Sequence, residues 1–222
     1  MQAFIVLSTL FSTILAAPVF APAPTPGLAR RDNSTAEALS AQLLTISPSA
    51  DSCDGAKYPD ECRTAPQAAQ PILDSFDQYN ITSVNEQAAL ISLMMYESGD
   101  FKYNWGHFVS GETVHTPGKG TRNMQSATFN EAYARSLFPA EEVDAAKASG
   151  AEDGVLELVS PDEYSFASAA WFITSQCTDA VRAGVQSGEQ AGWETYLTDC
   201  IGTSVDQGRI DYWTKAKAAL SA

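Results

Sequence analysis

An apolar helix pattern runs from Ser83 to Gly99. Ser83 and Glu86 have the spacing of a capping box, which predicts that the helix begins at this point. Gly99 can adopt the left-handed conformation that commonly ends a helix. Near that end, Glu97 lies four residues after Leu93 and therefore shares its face of the helix. The pattern predicts a buried helix that carries one acidic side chain to the edge of the core.

Glu97 is a local misfit in this pattern. The C-terminal end of a helix dipole repels an anion, and a surrounding apolar face disfavours the charged form of a carboxylate. A carboxyl group kept protonated in this way is what general-acid cleavage of a glycosidic bond requires. The alternative is an ordinary solvated glutamate in the last turn of a helix.

Most of the remaining chain also has a helical pattern. Residues 99–125 differ, because they are polar, aromatic and rich in glycine, and they predict a loop or a small β-hairpin. A second capping signature begins at Ser160 and leads into a segment that is apolar nearly all round, which predicts a buried central helix. The other predicted helices cover residues 35–45, 66–79, 129–138, 140–149, 193–200 and 206–220.

Two short motifs flank this loop. Glu97-Ser98-Gly99 ends the helix, and a Gly-x-x-x-Met-Gln turn occupies residues 120–125. The arrangement resembles the lysozyme-like superfamily, in particular lytic transglycosylases and goose-type lysozymes, and is similar to secreted fungal muramidases. The resemblance implies a lysozyme-like α+β fold, mainly α, in which a central buried helix and a small loop or β lobe form the cleft.

The resemblance also implies a role for Glu97, which would protonate the leaving oxygen of a β-1,4 link. Asp100, three residues further on, is the nearest candidate for the second catalytic carboxylate. Glu112 and Glu131 are the alternatives. The separation of the two carboxyl groups, which would distinguish inversion, retention and transglycosylation, is left open by the sequence.

Residues of the loop and turn are candidates for contacts with substrate. Aromatic side chains stack well on sugar rings, and the amides of Asn123 and Gln125 can both donate and accept hydrogen bonds. By resemblance, Met124 lines the floor of the cleft and Gln125 faces the substrate. The full candidate set is Ser98, Tyr103, Trp105, Asn123, Met124 and Gln125.

The chain contains four cysteines, which predict two disulfides with three possible pairings. The simplest pairing joins Cys53 to Cys62 and Cys177 to Cys200. A zinc site is not expected, because no Cys-x-x-Cys motif occurs and the chain has only two histidines. We expect neither a metal nor a cofactor.

The beginning of the sequence is typical of a secreted protein. Residues 1–17 are predicted to be a signal peptide, and residues 18–31 a propeptide or linker that ends at a dibasic site. Residues 32–222 would form one catalytic domain. Asn33 and Asn80 each begin an Asn-x-Ser/Thr glycosylation motif, so an extracellular glycoprotein is expected.

The net charge of −14 argues against nucleic acid as a partner, and after the first residues no apolar stretch is long enough to cross a membrane. The predicted function is therefore that of a monomeric secreted muramidase that hydrolyses peptidoglycan. Its acidity favours an alternative, a chitosanase or chitinase on the same fold. A non-catalytic carbohydrate-binding or effector protein is the other alternative.

Overall fold

The computed structural model describes residues 33–107 and 115–221 of the 222-residue chain. The predicted signal peptide and propeptide lie outside the described residues, as does Glu112. The side chain of Asn33 is also outside the described part. The domain boundary at residue 32 stays a prediction.

The described residues are mainly α-helical, which confirms the predicted dominance of helices. The predicted β lobe is not seen: in this part of the chain, pairing between extended segments is limited to isolated bridges of Gly120 with Trp105 and Gln125. The α-helices are α1 (Asn33–Ile46), α2 (Ala65–Gln78), α3 (Val84–Glu97), α4 (Ala127–Leu137), α5 (Ala140–Val159), α6 (Asp162–Ser165), α7 (Ser168–Ser175), α8 (Asp179–Ser187), α9 (Gln190–Thr195) and α10 (Gln207–Leu220). A 3-10 turn at Pro48–Asp51 follows α1, and a π-helix at Tyr196–Ile201 continues α9.

Helix α3 lies at the centre of the larger hydrophobic cluster. Residues 88–95 are all buried, and the helix packs against α10, α8 and α7. The sequence instead placed the central helix after residue 160. That segment is divided into the four-residue α6 and the eight-residue α7, although residues 168–173 of α7 are buried.

The two predicted capping boxes are incomplete. Ser83 caps α3 by accepting from the backbone N–H of Glu86 at 3.5 Å. The Glu86 carboxylate does not return to Ser83, because it binds Arg182 of α8. At the second signature, Pro161 is the residue before α6 and makes no side-chain cap.

Helix α5 extends past its predicted end at residue 149. The backbone is non-helical at Ala151, where φ is 53°, and a second helical segment follows. At Gly154, an added Cβ would lie 2.2 Å from the carbonyl oxygen of Ala146, so only glycine permits this close approach.

Two disulfides join Cys53 to Cys62 and Cys177 to Cys200. The second one ties the chain after α7 to the π-helix. Asn80 is exposed and left-handed, with a φ of 53°, at the end of α2. Its glycosylation, like that of Asn33, stays a prediction.

Among the described residues, no helix combines the length and the apolar character that crossing a bilayer requires. Disulfides are typical of proteins that fold in an oxidising compartment. The two disulfides are compatible with the predicted secretion.

Candidate ligand-binding cleft

A cleft of about 340 Å³ opens beside the C-terminal end of α3. We call it the Glu97 cleft. Its volume lies in the range of small-molecule sites. The lining includes polar side chains, namely Glu97, Lys119, Asn123, Gln125 and Arg209. It also includes apolar side chains, namely Met124, Phe129, Phe172 and Ile201.

Glu97 forms an ion pair with Arg209, with 2.6 Å between its Oε1 and Nη2 of the arginine. The two side chains are 20% and 12% exposed. Arg209 lies in the first turn of α10, where a helix dipole disfavours a cation, just as the last turn of α3 disfavours the anion of Glu97. Two residues that are each poorly placed on their own helix are thus paired across the interface of α3 and α10.

Asp206 and Tyr96 complete this ion-pair network. Asp206 caps α10 by accepting from the backbone N–H of Arg209 at 3.0 Å, and it also binds the guanidinium. The Tyr96 hydroxyl donates to Asp206, and the guanidinium of Arg209 lies 4.3 Å from the centre of the Tyr96 ring. Arg209 is therefore fixed between two carboxylates and an aromatic face.

The network changes the pKa values of Arg209 and Asp206. Burial tends to lower the pKa of Arg209, but the hydrogen bonds and charge interactions with Glu97 and Asp206 together outweigh burial and raise that pKa above the ordinary value. Burial tends to raise the pKa of Asp206, but the bonds from the backbone and side chain of Arg209 lower it. Glu97 is the acceptor in this network, not the isolated proton donor that the apolar pattern of α3 suggested.

The amides of Asn123 and Gln125 form a second polar group in the cleft. The two residues are 6% and 5% exposed, and the Asn123 amide donates to the Gln125 carbonyl oxygen at 3.4 Å. Among the described residues, Asn123 Oδ1 and Gln125 Nε2 find no hydrogen-bond partner. If the oxygen and nitrogen of both side-chain amides were exchanged, the hydrogen bond between them would run in the opposite direction. One donor and one acceptor would still be unpaired.

Backbone strain is concentrated in the two segments next to the cleft. Asp100 and Phe101 have φ values of 58° and 64°, and Thr121 and Met124 have φ values of 63° and 47°. Non-glycine residues rarely adopt this left-handed region, and such strain collects at functional sites.

Arg122 holds these two segments together. Its side chain is fully buried and donates to the carbonyl oxygens of Phe101 and Tyr103, both at 3.0 Å, and of Glu61 at 2.7 Å. Burial lowers the pKa of Arg122 to about 10. The strained turn that carries Asn123 and Gln125 is therefore anchored by the residue before it.

Asn130 of α4 anchors the other end of the turn. Its side-chain amide donates to the carbonyl oxygens of Gly118 at 2.7 Å and Gln125 at 3.2 Å. Because the backbone is held on both sides, a fixed turn presents the side chains of Asn123 and Gln125 to the cleft.

The structure does not bring Asp100 into the cleft. Its carboxylate accepts from the Tyr212 hydroxyl at 2.8 Å and from the Ser49 hydroxyl, so it ties α10 to the 3-10 turn. Glu131 is on the surface in ion pairs with Lys147 and Arg135, which lower its pKa. Neither carboxylate stands as a partner for Glu97 in the cleft.

Half of the predicted contact residues lie elsewhere. Ser98 is fully buried, and its hydroxyl bonds the backbone of Met94 and Phe101. Tyr103 and Trp105 do not line the cleft and instead make ring contacts with His107 and His115, respectively. Of the predicted set, Asn123, Met124 and Gln125 line the cleft.

The cysteine and histidine side chains already have partners within the described part of the chain. All four cysteines are in disulfides, and each histidine is bonded to a carboxylate, His107 to Glu61 and His115 to Asp153. No group of three or more histidine, cysteine, aspartate or glutamate side chains in this part of the chain has the arrangement of a metal site.

Sequence reasoning missed Arg209, Lys119 and the apolar part of the lining. One signal for Arg209 was present. An arginine three residues after the capping Asp206 is as unfavourable at a helix N-terminus as Glu97 is at a C-terminus. Lys119 and Phe129 carried no comparable signal.

No family model and no solved structure matches the chain. A curated protein of Fusarium oxysporum (strain Fo5176), described as a bifunctional dioxygenase (DOX)-epoxy alcohol synthase (EAS), is 34% identical over 175 residues. The match covers 72% of this chain and 13% of the Fusarium protein. The chain thus spans a small fraction of the length of that relative.

This relative overturns the functional prediction. It is a dioxygenase–epoxy alcohol synthase and not a glycoside hydrolase, so the predicted resemblance to lysozymes and the assignment as a muramidase or other glycosidase are wrong. The associated prediction of peptidoglycan cleavage is unsupported. The lysozyme-like fold is likewise not confirmed. The part of the fold prediction that holds is that the protein is mainly α-helical.

Proposed function

We propose that this chain is a secreted ligand-binding module whose Glu97 cleft binds a small polar molecule that carries an amide group. The observation behind the proposal is the pair of unpartnered, buried amide atoms, Asn123 Oδ1 and Gln125 Nε2. A buried polar atom without a partner costs about 1–3 kcal/mol, and a ligand that supplies the partner recovers this free energy.

An amide ligand matches both atoms at once. Its N–H donates to Asn123 and its carbonyl oxygen accepts from Gln125, and this match survives reversal of both side-chain amides. Arg122 and Asn130 hold the turn before a ligand arrives, which reduces the ordering cost of binding.

The apolar lining supports the same class of ligand. Phe129 and Phe172 pack edge to face with their centres 4.7 Å apart, next to Ile201. A methyl or short acyl group bonded to the amide would find apolar contacts there. N-acetylated amino sugars have this combination of groups, so the predicted amino-sugar polymer stays a proposal as a ligand. Its cleavage is not proposed.

The Fusarium relative favours a second function, participation in the dioxygenase or epoxy alcohol synthase chemistry that its name states. The match covers 13% of that protein, and the described residues of this chain lack a fitting set of metal donors. As the second candidate function, we propose that the chain acts as an accessory module of such an enzyme. Dioxygen uptake together with bound metal in the purified full chain would overturn this assignment.

The binding test compares two trisaccharides with and without acetamido groups, the N-acetylglucosamine trimer and cellotriose. Two-dimensional NMR of the isotopically labelled protein should show shifts around residues 97 and 123–125 with the acetamido ligand. We expect at least tenfold weaker binding of cellotriose, since two hydrogen bonds worth about 1 kcal/mol each are missing.

Gln125→Met should weaken binding of the acetamido trimer about tenfold, because it removes the donor with little change of volume. Gln190→Met, at an exposed position in α9, is the matched control and should bind like the wild type. Equal binding by wild type and Gln125→Met, with intact spectra for both, would overturn the proposal.

A further inference from the structure

Lys119 is the feature of the cleft that amide recognition does not use. It precedes Gly120 in the loop that leads to the Asn123–Gln125 turn, and its side chain lines the cleft. The stem of the side chain packs on Gly106, where an added Cβ would lie 3.0 Å from Lys119 Cβ and Cγ. The backbone carbonyl of Lys119 accepts from the Gly106 N–H at 2.8 Å. The base of this side chain is therefore held in place.

The Lys119 ammonium has no ion-pair or hydrogen-bond partner within residues 33–107 and 115–221. Other basic residues in these ranges are paired with carboxylates, such as Arg63, Arg182 and Arg209, or bind backbone carbonyls, as Lys102 and Lys217 do. Lys215 is likewise without a partner in these ranges, but it is exposed on α10 and lies outside the cleft.

The charges in the cleft do not cancel. Glu97 and Arg209 neutralise one another at 2.6 Å, so Lys119 contributes the uncompensated charge among the lining residues that the structure describes. A cation in a partly enclosed cleft attracts an anion more strongly than a cation on an open surface, because the local dielectric is lower.

From these observations we infer that the ligand of the Glu97 cleft is an anionic amide, with a carboxylate bound by Lys119 and the amide bound by Asn123 and Gln125. N-acylated amino acids and N-acylated sugar acids are the chemical classes that carry both groups a few bonds apart. The inference rests on the proposed amide recognition and adds the anionic group to it.

The test uses two ligands of the same size that differ at one group, the carboxylate of N-acetyl-L-alanine and the neutral carboxamide of N-acetyl-L-alaninamide. We expect the carboxylate to bind the wild-type protein about tenfold more tightly at low salt, and this advantage to shrink as salt screens the ion pair. Binding is followed by NMR titration of the full chain. Lys119→Met keeps the length of the stem and should bind the two ligands equally.

Lys215→Met removes the same charge from a site outside the cleft and should retain the preference for the carboxylate. This control separates a local contact from the effect of overall charge. If the wild type binds both ligands equally, or if both variants lose the preference to the same degree, the anionic ligand is excluded.

The neutral carboxamide separates the two proposals. If the carboxamide binds and Gln125→Met weakens this binding, amide recognition is supported, whether or not the carboxylate binds more tightly. If neither ligand shifts the cleft residues, amide recognition and the anionic ligand both fail.

Discussion

The two ends of α3 carry the same ion pair in opposite settings. At the N-terminal end, Glu86 binds Arg182 with 2.6 Å between oxygen and nitrogen. At the C-terminal end, Glu97 binds Arg209 at the same distance. The Glu86 side chain is 1% exposed and that of Glu97 is 20% exposed. The helix dipole stabilises the first acid and destabilises the second.

This difference distinguishes an ion pair that serves the fold, at one end of α3, from an ion pair that lies beside a candidate binding site, at the other end. Both oxygens of Glu86 have partners within the fold, since Gln186 donates to Oε2 at 2.9 Å. Glu97 faces a cleft in which Asn123 and Gln125 leave polar atoms without partners. A polar group that the fold satisfies holds the fold together, whereas a group that the fold leaves incomplete is available to a ligand.

Removing the buried acid should have the largest effect on stability. Glu86→Ala leaves the Arg182 guanidinium and the Gln186 amide without their acceptor, and we expect the free energy of unfolding to fall by about 3 kcal/mol. Urea denaturation followed by far-UV circular dichroism measures it. Glu157→Ala, at an exposed position in α5, is the control and should change stability by about 0.5 kcal/mol or less. Equal losses in the two variants would remove the distinction between buried and exposed acids.

Glu97→Ala should cost less, about 1 kcal/mol, because the pair is partly exposed and Arg209 keeps Asp206 as a partner. Removal of an anion from a helix C-terminus also raises the free energy of unfolding by about a few tenths of a kcal/mol, which offsets part of the loss. The same urea experiment, run beside Glu86→Ala, tests the order of the two effects. A larger loss for Glu97→Ala than for Glu86→Ala would break the comparison between the two ends of α3.

Local signals predicted the bounds of α3 well. Ser83 caps the helix, and the chain leaves it between Glu97 and Gly99, as the sequence indicated. The same signals could not show where Glu86 and Glu97 find their partners, which lie 96 and 112 residues further along the chain. Periodicity records which face of a helix is apolar, but it holds no information about distant contacts.

The error about function has the same origin. Glu97-Ser98-Gly99 and Met124-Gln125 are short motifs, and in this fold they describe a helix end and a strained turn. The lining of the cleft brings Glu97 together with Arg209 and Lys119, which no local pattern joins to it. Asp100 was chosen for its nearness in sequence, but its left-handed backbone, with φ at 58°, accompanies a carboxylate bonded to Tyr212 and Ser49.

The smallest predicted effect concerns the pH dependence of stability. It involves Asp206, which binds Arg209 and so supports the ion pair at the C-terminal end of α3. Its pKa in the folded protein lies below the ordinary value of 3.8. Its charge therefore stabilises the fold fully above that value, and this contribution is lost as the pH falls through the folded pKa.

Asp206→Asn should show a smaller loss of stability between pH 5 and pH 2, in urea titrations followed by tryptophan fluorescence. Asparagine caps helices about as well as aspartate, so the substitution isolates the charge. Asp211→Asn, at an exposed position on the same helix, should keep the pH dependence of the wild type. An unchanged pH dependence in Asp206→Asn would mean that the network around Glu97 contributes to the shape of the cleft without contributing to stability in acid.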